Sequence, residues 1–201
     1  MTEKNMGPGI ERTFVMVKPD GVQRGLIGDI VTRFEKRGLK IVAMKMIKPG
    51  IKHIDDHYPK DETWIARLGQ KGFTVFAEQG LKPEDVMGTS DQLEAGKQVR
   101  KWLVDYMNEA PVVAMVIEGI HAIEMARKIA GATLPSNAEI GTIRGDYSVD
   151  SPVAANISKR AVKNVVHISE NKEEAEHEIA HWFSSEEIFD EYDRADRATM
   201  Y

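Results

Sequence analysis

The two side chains in this sequence that are best suited to chemistry together are His167 and Glu178, eleven residues apart. A neutral imidazole acts as a nucleophile through one ring nitrogen while an acceptor holds the N–H of the other. At about 100° per helical residue, Glu178 lies roughly 60° from the centre of its helix's apolar stripe, so its carboxylate could reach His167. From spacing alone, the alternative is that His167 merely ends a strand and Glu178 is a surface acid.

A strand and a helix are predicted to position this pair. Val165 and Val166, just before His167, are β-branched and favour a strand. The polar cluster at 169–171 indicates a turn and a helix N-cap, and an amphipathic helix is predicted over 172–183. A side chain at the end of a strand is accessible and yet held on a rigid scaffold, which is where a reactive group is expected.

Three cations lie at predicted turns or helix faces and could serve the same site, namely Lys18, Arg127 and Arg144. Phosphate groups need such partners, because negative charge spreads over their oxygens during transfer. Taken singly, each of these cations is equally well explained as an ordinary solvated surface residue. The chain has no Gly-x4-Gly-Lys-Ser/Thr loop, so a phosphate site here would be built from side chains rather than from a glycine cradle.

A competing motif occupies the helix that carries Glu178. The segment His177-Glu178-Ile179-Ala180-His181 matches the His-Glu-x-x-His pattern of zinc hydrolases. Its two histidines would share one helix face, as zinc requires, but that face is predicted to point to solvent and no third ligand follows. A zinc peptidase is therefore the minor alternative, and it requires stoichiometric zinc. His53 and His57, also four residues apart, are interpreted as surface groups.

The hydrophobic periodicity predicts an α+β fold. Strands are predicted at 12–17, 39–47, 111–117 and in the stretch that ends at 167, with a turn at 18–21. Helices are predicted around 27–34, 49–58, 93–107, 120–129 and 172–183. Two strand–helix–strand halves, with helices on one face of an antiparallel sheet, indicate a ferredoxin-like βαββαβ sandwich. Residues 59–92, interrupted by several glycines, are predicted to be irregular with short helices, 132–147 a polar loop, and 148–163 has no assignment.

Composition is typical of a globular cytosolic protein. The 201 residues are 42% apolar and 29% charged, and the net charge of −5 argues against a dedicated nucleic-acid binder. The absence of cysteine excludes disulfides, thiolate metal sites and cysteine nucleophiles. No apolar run approaches about 18 residues, so no membrane span is expected. Residues 1–9 contain no apolar signal core, and a cytoplasmic location is expected.

Three separate motifs closely resemble the nucleoside diphosphate kinase family. They are Lys18-Pro19-Asp20-Gly21, Gly141-Thr142-Ile143-Arg144-Gly145-Asp146 and Asn164-Val165-Val166-His167. Further matches, at 24–28, 131–133 and 176–183, follow in the family's order, so that the resemblance covers most of residues 10–190. It implies a phosphotransferase that moves the γ-phosphoryl group of a nucleoside triphosphate to a nucleoside diphosphate. The implied route is ping-pong, through phosphohistidine.

Carried onto this chain, the resemblance makes His167 the phosphorylated residue and Glu178 the residue that orients its ring, with Ser169 alongside. It also implies a set of nucleotide-binding residues. Around the phosphates these are Lys18, Tyr58, Arg127 and Arg144, while Thr133 would contact a phosphate oxygen and Asn164 the ribose. The protein supplies no metal ligands in this picture, since Mg²⁺ would arrive bound to the nucleotide.

The resemblance also implies the domain plan and the assembly. A single domain over 1–201 would carry an insertion at about 59–92 and a smaller one at about 150–160, and a homo-oligomer, hexamer or tetramer, is expected. The family's base-stacking phenylalanine aligns with Val99, which has no ring, so Trp64, Phe73 and Phe76 are the alternatives. Ile168 stands where family members have a small residue. The insertions and Ile168 motivate a second hypothesis, a nucleotide-binding regulatory module or protein-histidine phosphotransferase.

Overall fold

A four-stranded antiparallel sheet forms the centre of the computed structural model, which describes residues 9–200. The strands are β1 (Ile10–Val17), β2 (Lys40–Ile47), β3 (Val112–Ile120) and β4 (Val166–Ile168). Their order across the sheet is β2-β3-β1-β4, and every neighbouring pair is antiparallel. The predicted ferredoxin-like α+β sandwich is confirmed. Residues 1–8, where the sequence predicts no signal core, lie outside the described part.

The described residues also form eleven helices. They are α1 (Pro19–Gln23), α2 (Ile27–Lys36), α3 (Ile51–His57), α4 (Glu62–Glu78), α5 (Pro83–Met87), α6 (Gln92–Met107), α7 (Ala122–Ala130), α8 (Ile143–Tyr147), α9 (Pro152–Ile157), α10 (Lys172–Trp182) and α11 (Arg197–Met200). Two single 3-10 turns, Pro135–Asn137 and Ser185–Glu187, lie in connecting segments. Over residues 9–200, no helix combines the length and the apolar character that crossing a bilayer requires.

Both faces of the sheet are covered, whereas helices were predicted on one face only. The side chains of β1 alternate between the two cores. Val15 and Val17 pack with α2 and α7, while Phe14 and Met16 pack with α3, α6 and α10. A strand buried on both faces is expected to read as a continuous apolar run, as the second half of β1 does.

The prediction of an irregular segment at 59–92 was wrong, because it interpreted glycines as helix breakers. The segment forms the 17-residue helix α4, followed by α5. The helices α4 and α6 make their close contact at Gly69 of α4 and Gly96 of α6. A Cβ on Gly69 would lie 2.1 Å from the Gln92 carbonyl oxygen, and one on Gly96 would lie 1.9 Å from that of Ile65. Glycine in a helix costs about 1 kcal/mol, and here it permits a close helix pair.

The other differences from prediction are also helical. The segment 18–21 is not an isolated turn, because α1 begins at Pro19, a residue preorganised for the first helical position. The unassigned stretch 148–163 contains α9, which Ser151 caps through its side chain. A polar loop was predicted at 132–147, and its last residues form α8, capped by Thr142.

The two segments expected to be insertions pack against each other. Phe76, Met87 and Ala95 form a small core of their own, to which Val99 of α6 and Val153 of α9 contribute. Val99 is therefore a packing residue. The resemblance aligns Val99 with the family's base-stacking phenylalanine, but in this structure its side chain packs in the small core shared with α4, α5 and α9.

Candidate active site

His167 and Glu178 meet as the sequence predicts. β4 places His167 opposite Met16 of β1, and α10 carries Glu178 beneath it. His167 Nε2 lies 2.7 Å from Glu178 Oε1, and the Ser169 hydroxyl donates to Glu178 Oε2 over 2.6 Å. An ionised carboxylate only accepts hydrogen bonds, so Nε2 carries the ring proton and Nδ1 keeps its lone pair. In this tautomer Nδ1 is the ring nitrogen whose lone pair is free of the Glu178 contact.

The surroundings keep the imidazole neutral. Burial lowers the pKa of His167 well below its ordinary value, and the positive charges of Lys18 and Arg144 lower it further. The side chain is nevertheless 17% exposed, so a ligand can reach it. Burial also raises the pKa of Glu178, whereas the hydrogen bond from the Ser169 hydroxyl favours the ionised form. A neutral ring beside an anchored acceptor is what nucleophilic attack requires.

His57 is a member of this cluster, and its interpretation as a surface group was wrong. It is buried at the end of α3, with Nδ1 3.6 Å from Glu178 Oε1. The indole N–H of Trp182 donates to the same Nδ1 over 3.3 Å. Burial lowers the pKa of His57 to about 3, so it too is neutral. The available signal was its place three residues after Ile54, which puts both on the buried face of α3.

The zinc-hydrolase motif does not assemble as a metal site. His177 is exposed, as predicted, and His181 stacks on His53 with ring centroids 4.1 Å apart. Glu178, between them in sequence, points to the opposite side and is buried. His53 is half-buried rather than on the surface. Among the described residues, the one group of three or more potential metal ligands consists of His57, His167 and Glu178, whose ligand atoms lie within 4.8 Å of one another. The His167–Glu178 hydrogen bond and the Trp182–His57 hydrogen bond hold these side chains.

Two of the three predicted cations lie beside His167. Lys18 is buried, and its ammonium donates to Asn164 Oδ1 over 2.8 Å. Burial and the nearby charge of Arg144 lower the pKa of Lys18 to about 8. Arg144 is also buried and donates to the carbonyl oxygens of Gly131 and Val166, at 2.6 and 2.9 Å. Its Nε is buried and has no hydrogen-bond partner among the described residues.

The remaining predicted residues occupy the rim and the core. Arg127 is exposed and donates to the Glu170 carbonyl over 2.6 Å. Thr133 is exposed, and its carbonyl accepts from the Asn164 amide over 2.8 Å, which links Asn164 to Lys18 on one side and to Thr133 on the other. Tyr58 is instead buried in the core against His57, and its hydroxyl has no partner in the described part of the chain.

Ile168 does not face the histidine. It follows His167 in β4 and pairs with Val15 of β1. Because successive side chains alternate across a strand, Ile168 packs with the α2 and α7 core while His167 lies on the other face. The crowding expected from a β-branched residue at this position does not arise from its side chain.

A family model and the relatives described below carry the same family name. The family model described as "Nucleoside diphosphate kinase" matches residues 11–64 and 60–188. A nucleoside diphosphate kinase of Pyrobaculum aerophilum is 46% identical over 181 residues, which is 90% of this chain and 99% of that protein. One from Pyrococcus furiosus is 43% identical over 93% of this chain and 91% of its own length.

Solved structures agree with the sequence relatives. The crystal structure of an NDP kinase from Pyrobaculum aerophilum superimposes with a TM-score of 0.86 at 45% identity, covering 90% of this chain and all of that one. A nucleoside-diphosphate kinase from Borrelia burgdorferi, described as a transition state mimic with bound vanadate and ADP, gives a TM-score of 0.76 at 35% identity. That match covers 96% of this chain and 98% of the other.

Proposed function

The chain belongs to the nucleoside diphosphate kinase family, and we propose that His167 carries the phosphoryl group between nucleotides. The enzyme moves the γ-phosphoryl group of a nucleoside triphosphate to a nucleoside diphosphate through a phosphohistidine. The observation that supports His167 most strongly is its hydrogen bond to Glu178, which leaves Nδ1 unprotonated beside two buried cations.

In the first step, the lone pair of His167 Nδ1 attacks the γ-phosphorus. The bond between that phosphorus and the β–γ bridging oxygen breaks, and the diphosphate leaves with the oxygen and its electrons. The ring proton stays on Nε2, where the Glu178 carboxylate stabilises the positive charge that the ring acquires. In the second step, a terminal phosphate oxygen of another diphosphate attacks the phosphorus and the N–P bond breaks. The ring returns to its starting state.

The nucleotide-binding residues are proposed from their positions around His167. Lys18 and Arg144 would compensate the charge on the transferring group, since both are buried and close enough to lower the pKa of His167. Arg127, at the exposed rim, would hold a more distal phosphate. Thr133 would contact a phosphate oxygen, and Asn164 would contact the ribose. Hydrogen bonds connect Lys18 to Asn164 and Asn164 to the exposed Thr133.

Tyr58 is proposed to reach the phosphates only after a local change. Its hydroxyl is buried without a partner among the described residues, and burial raises its pKa, so it remains a neutral donor. Magnesium is proposed to enter with the nucleotide. The groups that face the site are cations and amides rather than free carboxylates, which suits Mg²⁺ bound to phosphate oxygens and water.

The domain plan and the assembly are also proposals. One domain over 1–201 with insertions at about 59–92 and 150–160 is supported by the family model, whose two matching segments meet at 60–64. A homo-oligomer, hexamer or tetramer, is supported by Met44 and Met46, which are more than half exposed on the edge strand β2. A cytoplasmic location is proposed from the substrates, which are nucleotides of the cell interior.

Intact-protein mass measured after brief incubation with Mg-ATP tests the function. The wild type is expected to gain one acid-labile phosphoryl group, and His167→Ala is expected to gain none. Added GDP should then discharge the phosphorylated protein and form GTP. A folded wild type that binds ATP but gains no mass would refute the role of His167. A phosphorylated protein that GDP fails to discharge would favour the regulatory-module alternative.

A further inference from the structure

A strained turn lies immediately before the strand that carries His167. Val165 has φ +69°, and the N–H of Val166 donates to the Asn164 carbonyl over 2.7 Å. A bond from residue i+2 back to residue i, around a residue with φ near +75°, is the γ-turn that is rare in proteins. A β-branched side chain makes this backbone conformation especially unfavourable. Such a turn persists only where its surroundings hold it.

The segment that leads into and begins α1 holds both polar groups of Val165. The N–H of Val165 donates to Asp20 Oδ2 over 3.2 Å, and its carbonyl accepts from the Lys18 N–H over 2.8 Å. Gly21 allows this approach, since a Cβ there would lie 3.1 Å from the Val165 carbonyl oxygen. Val165 is completely buried, so water cannot substitute for these bonds.

Asp20 is itself held from a third element. The hydroxyl of Tyr106, near the end of α6, donates to Asp20 Oδ1. Asp20 and Tyr106 are both buried, at 6% and 2% exposure. The two oxygens of this carboxylate therefore connect α6 to the backbone of the turn, and neither is directed at the phosphate site.

The turn sets the relative position of two active-site residues. Asn164, on its first side, bonds Lys18, while Val166, on its other side, pairs with Val17 and so places His167 opposite Met16. Relaxing Val165 to negative φ would open the bond between residues 164 and 166. Either Asn164 would then move away from Lys18, or His167 would shift along β1.

We propose that Asp20 is a positioning residue for phosphoryl transfer, which keeps the strained Val165 turn closed and thereby places His167 against Lys18 and Asn164. This inference rests on the proposed role of His167. Asp20 acts through the backbone, and its effect depends on the strain that a β-branched residue brings to this position.

A double-mutant cycle tests this dependence. Asp20→Ala is compared in the wild-type and in the Val165→Gly background, because glycine adopts positive φ without strain. The rate of phosphoryl uptake from Mg-ATP is measured by rapid-quench intact mass at saturating nucleotide, and the free energy of unfolding is measured alongside. Releasing strain of this kind shifts a conformational population about tenfold or more. We therefore expect Asp20→Ala to slow uptake roughly tenfold with Val165 present and less than about threefold with glycine there.

Asp20→Asn is the conservative control. Its amide oxygen can accept from Val165 while its NH₂ donates to the Tyr106 hydroxyl, so uptake should stay within about threefold of wild type. If Asp20→Ala fails to fold, Tyr106→Phe goes through the same cycle and should slow uptake only when Val165 is present. Equal losses in the two backgrounds would overturn the positioning role, because a general loss of structure does not depend on the residue at 165. Failure of wild type to gain phosphate on His167 would instead refute the proposed function.

Discussion

Replacing Glu178 by glutamine removes one charge from the centre of the site and keeps its shape. The amide oxygen can still accept from His167 Nε2, and the amide NH₂ can donate to the Ser169 hydroxyl, which reverses the direction of that bond. The variant therefore isolates the contribution of the carboxylate charge. That charge matters most when Nδ1 attacks and the ring becomes positive.

The magnitude follows from the two kinds of hydrogen bond. A bond to a charged group contributes about 1.5–3 kcal/mol and a neutral one about 0.5–1.5 kcal/mol. Losing the charge at the His167 contact should thus cost about 1–2 kcal/mol in the transition state, which is roughly 5–30-fold in rate. We expect Glu178→Gln to lower the rate of phosphohistidine formation by this factor.

Rapid-quench measurement of phosphoryl uptake from Mg-ATP, with Glu176→Gln as the matched control, checks this value. Glu176 lies on the exposed face of the same helix and is 3.7 Å from Lys172, so its neutralisation removes equal charge away from His167. The control should stay within about twofold of wild type, as expected for an exposed pair. A change in Glu178→Gln no larger than in the control, with both proteins folded, would refute the assignment of Glu178 as the orienting acceptor.

Four further outcomes follow from the structure. Because the pKa of Lys18 is lowered to about 8, kcat/KM should decline as pH rises through about 8 and the ammonium loses its proton, and Lys18→Arg should remove that decline. The lowered pKa of His167 should in turn keep kcat/KM level as pH falls through about 6.5, the ordinary histidine value. Gly96→Ala should lower the free energy of unfolding by about 1–3 kcal/mol or more in urea denaturation, while Gly28→Ala, with open space around its Cβ, should raise it by up to about 1 kcal/mol. Chelator treatment followed by Mg²⁺ alone should restore full activity, because His177 is exposed and His181 stacks on His53, so that neither converges with Glu178; a requirement for zinc would contradict this.

Local sequence pattern was enough to predict much of the fold and the contact between His167 and Glu178. The period of α10 placed Glu178 at the flank of its buried face, and the polar residues before it predicted the cap that Asn171 supplies to the N–H of Glu174. β1 and β3 could be predicted from the sequence because a strand buried on both faces is a continuous apolar run. Each of these features depends on residues close together in sequence, and the geometry of a helix or strand fixes how such residues are placed relative to one another.

Three features of the fold and the site depended on partners far away in sequence. His57 follows a lysine- and aspartate-rich stretch, and packing against Trp182, 125 residues later, helps to make it a buried member of the cluster. Gly69 resembles a helix breaker until α4 is seen to pack closely on α6. The conformation of Val165 is decided by Asp20, 145 residues earlier, against its own local preference. Residue types and their spacing were enough to identify the groups that we propose to react. How those groups are held depends on contacts between distant parts of the chain, because a buried hydrogen bond between distant residues can outweigh local preferences of about 1–3 kcal/mol.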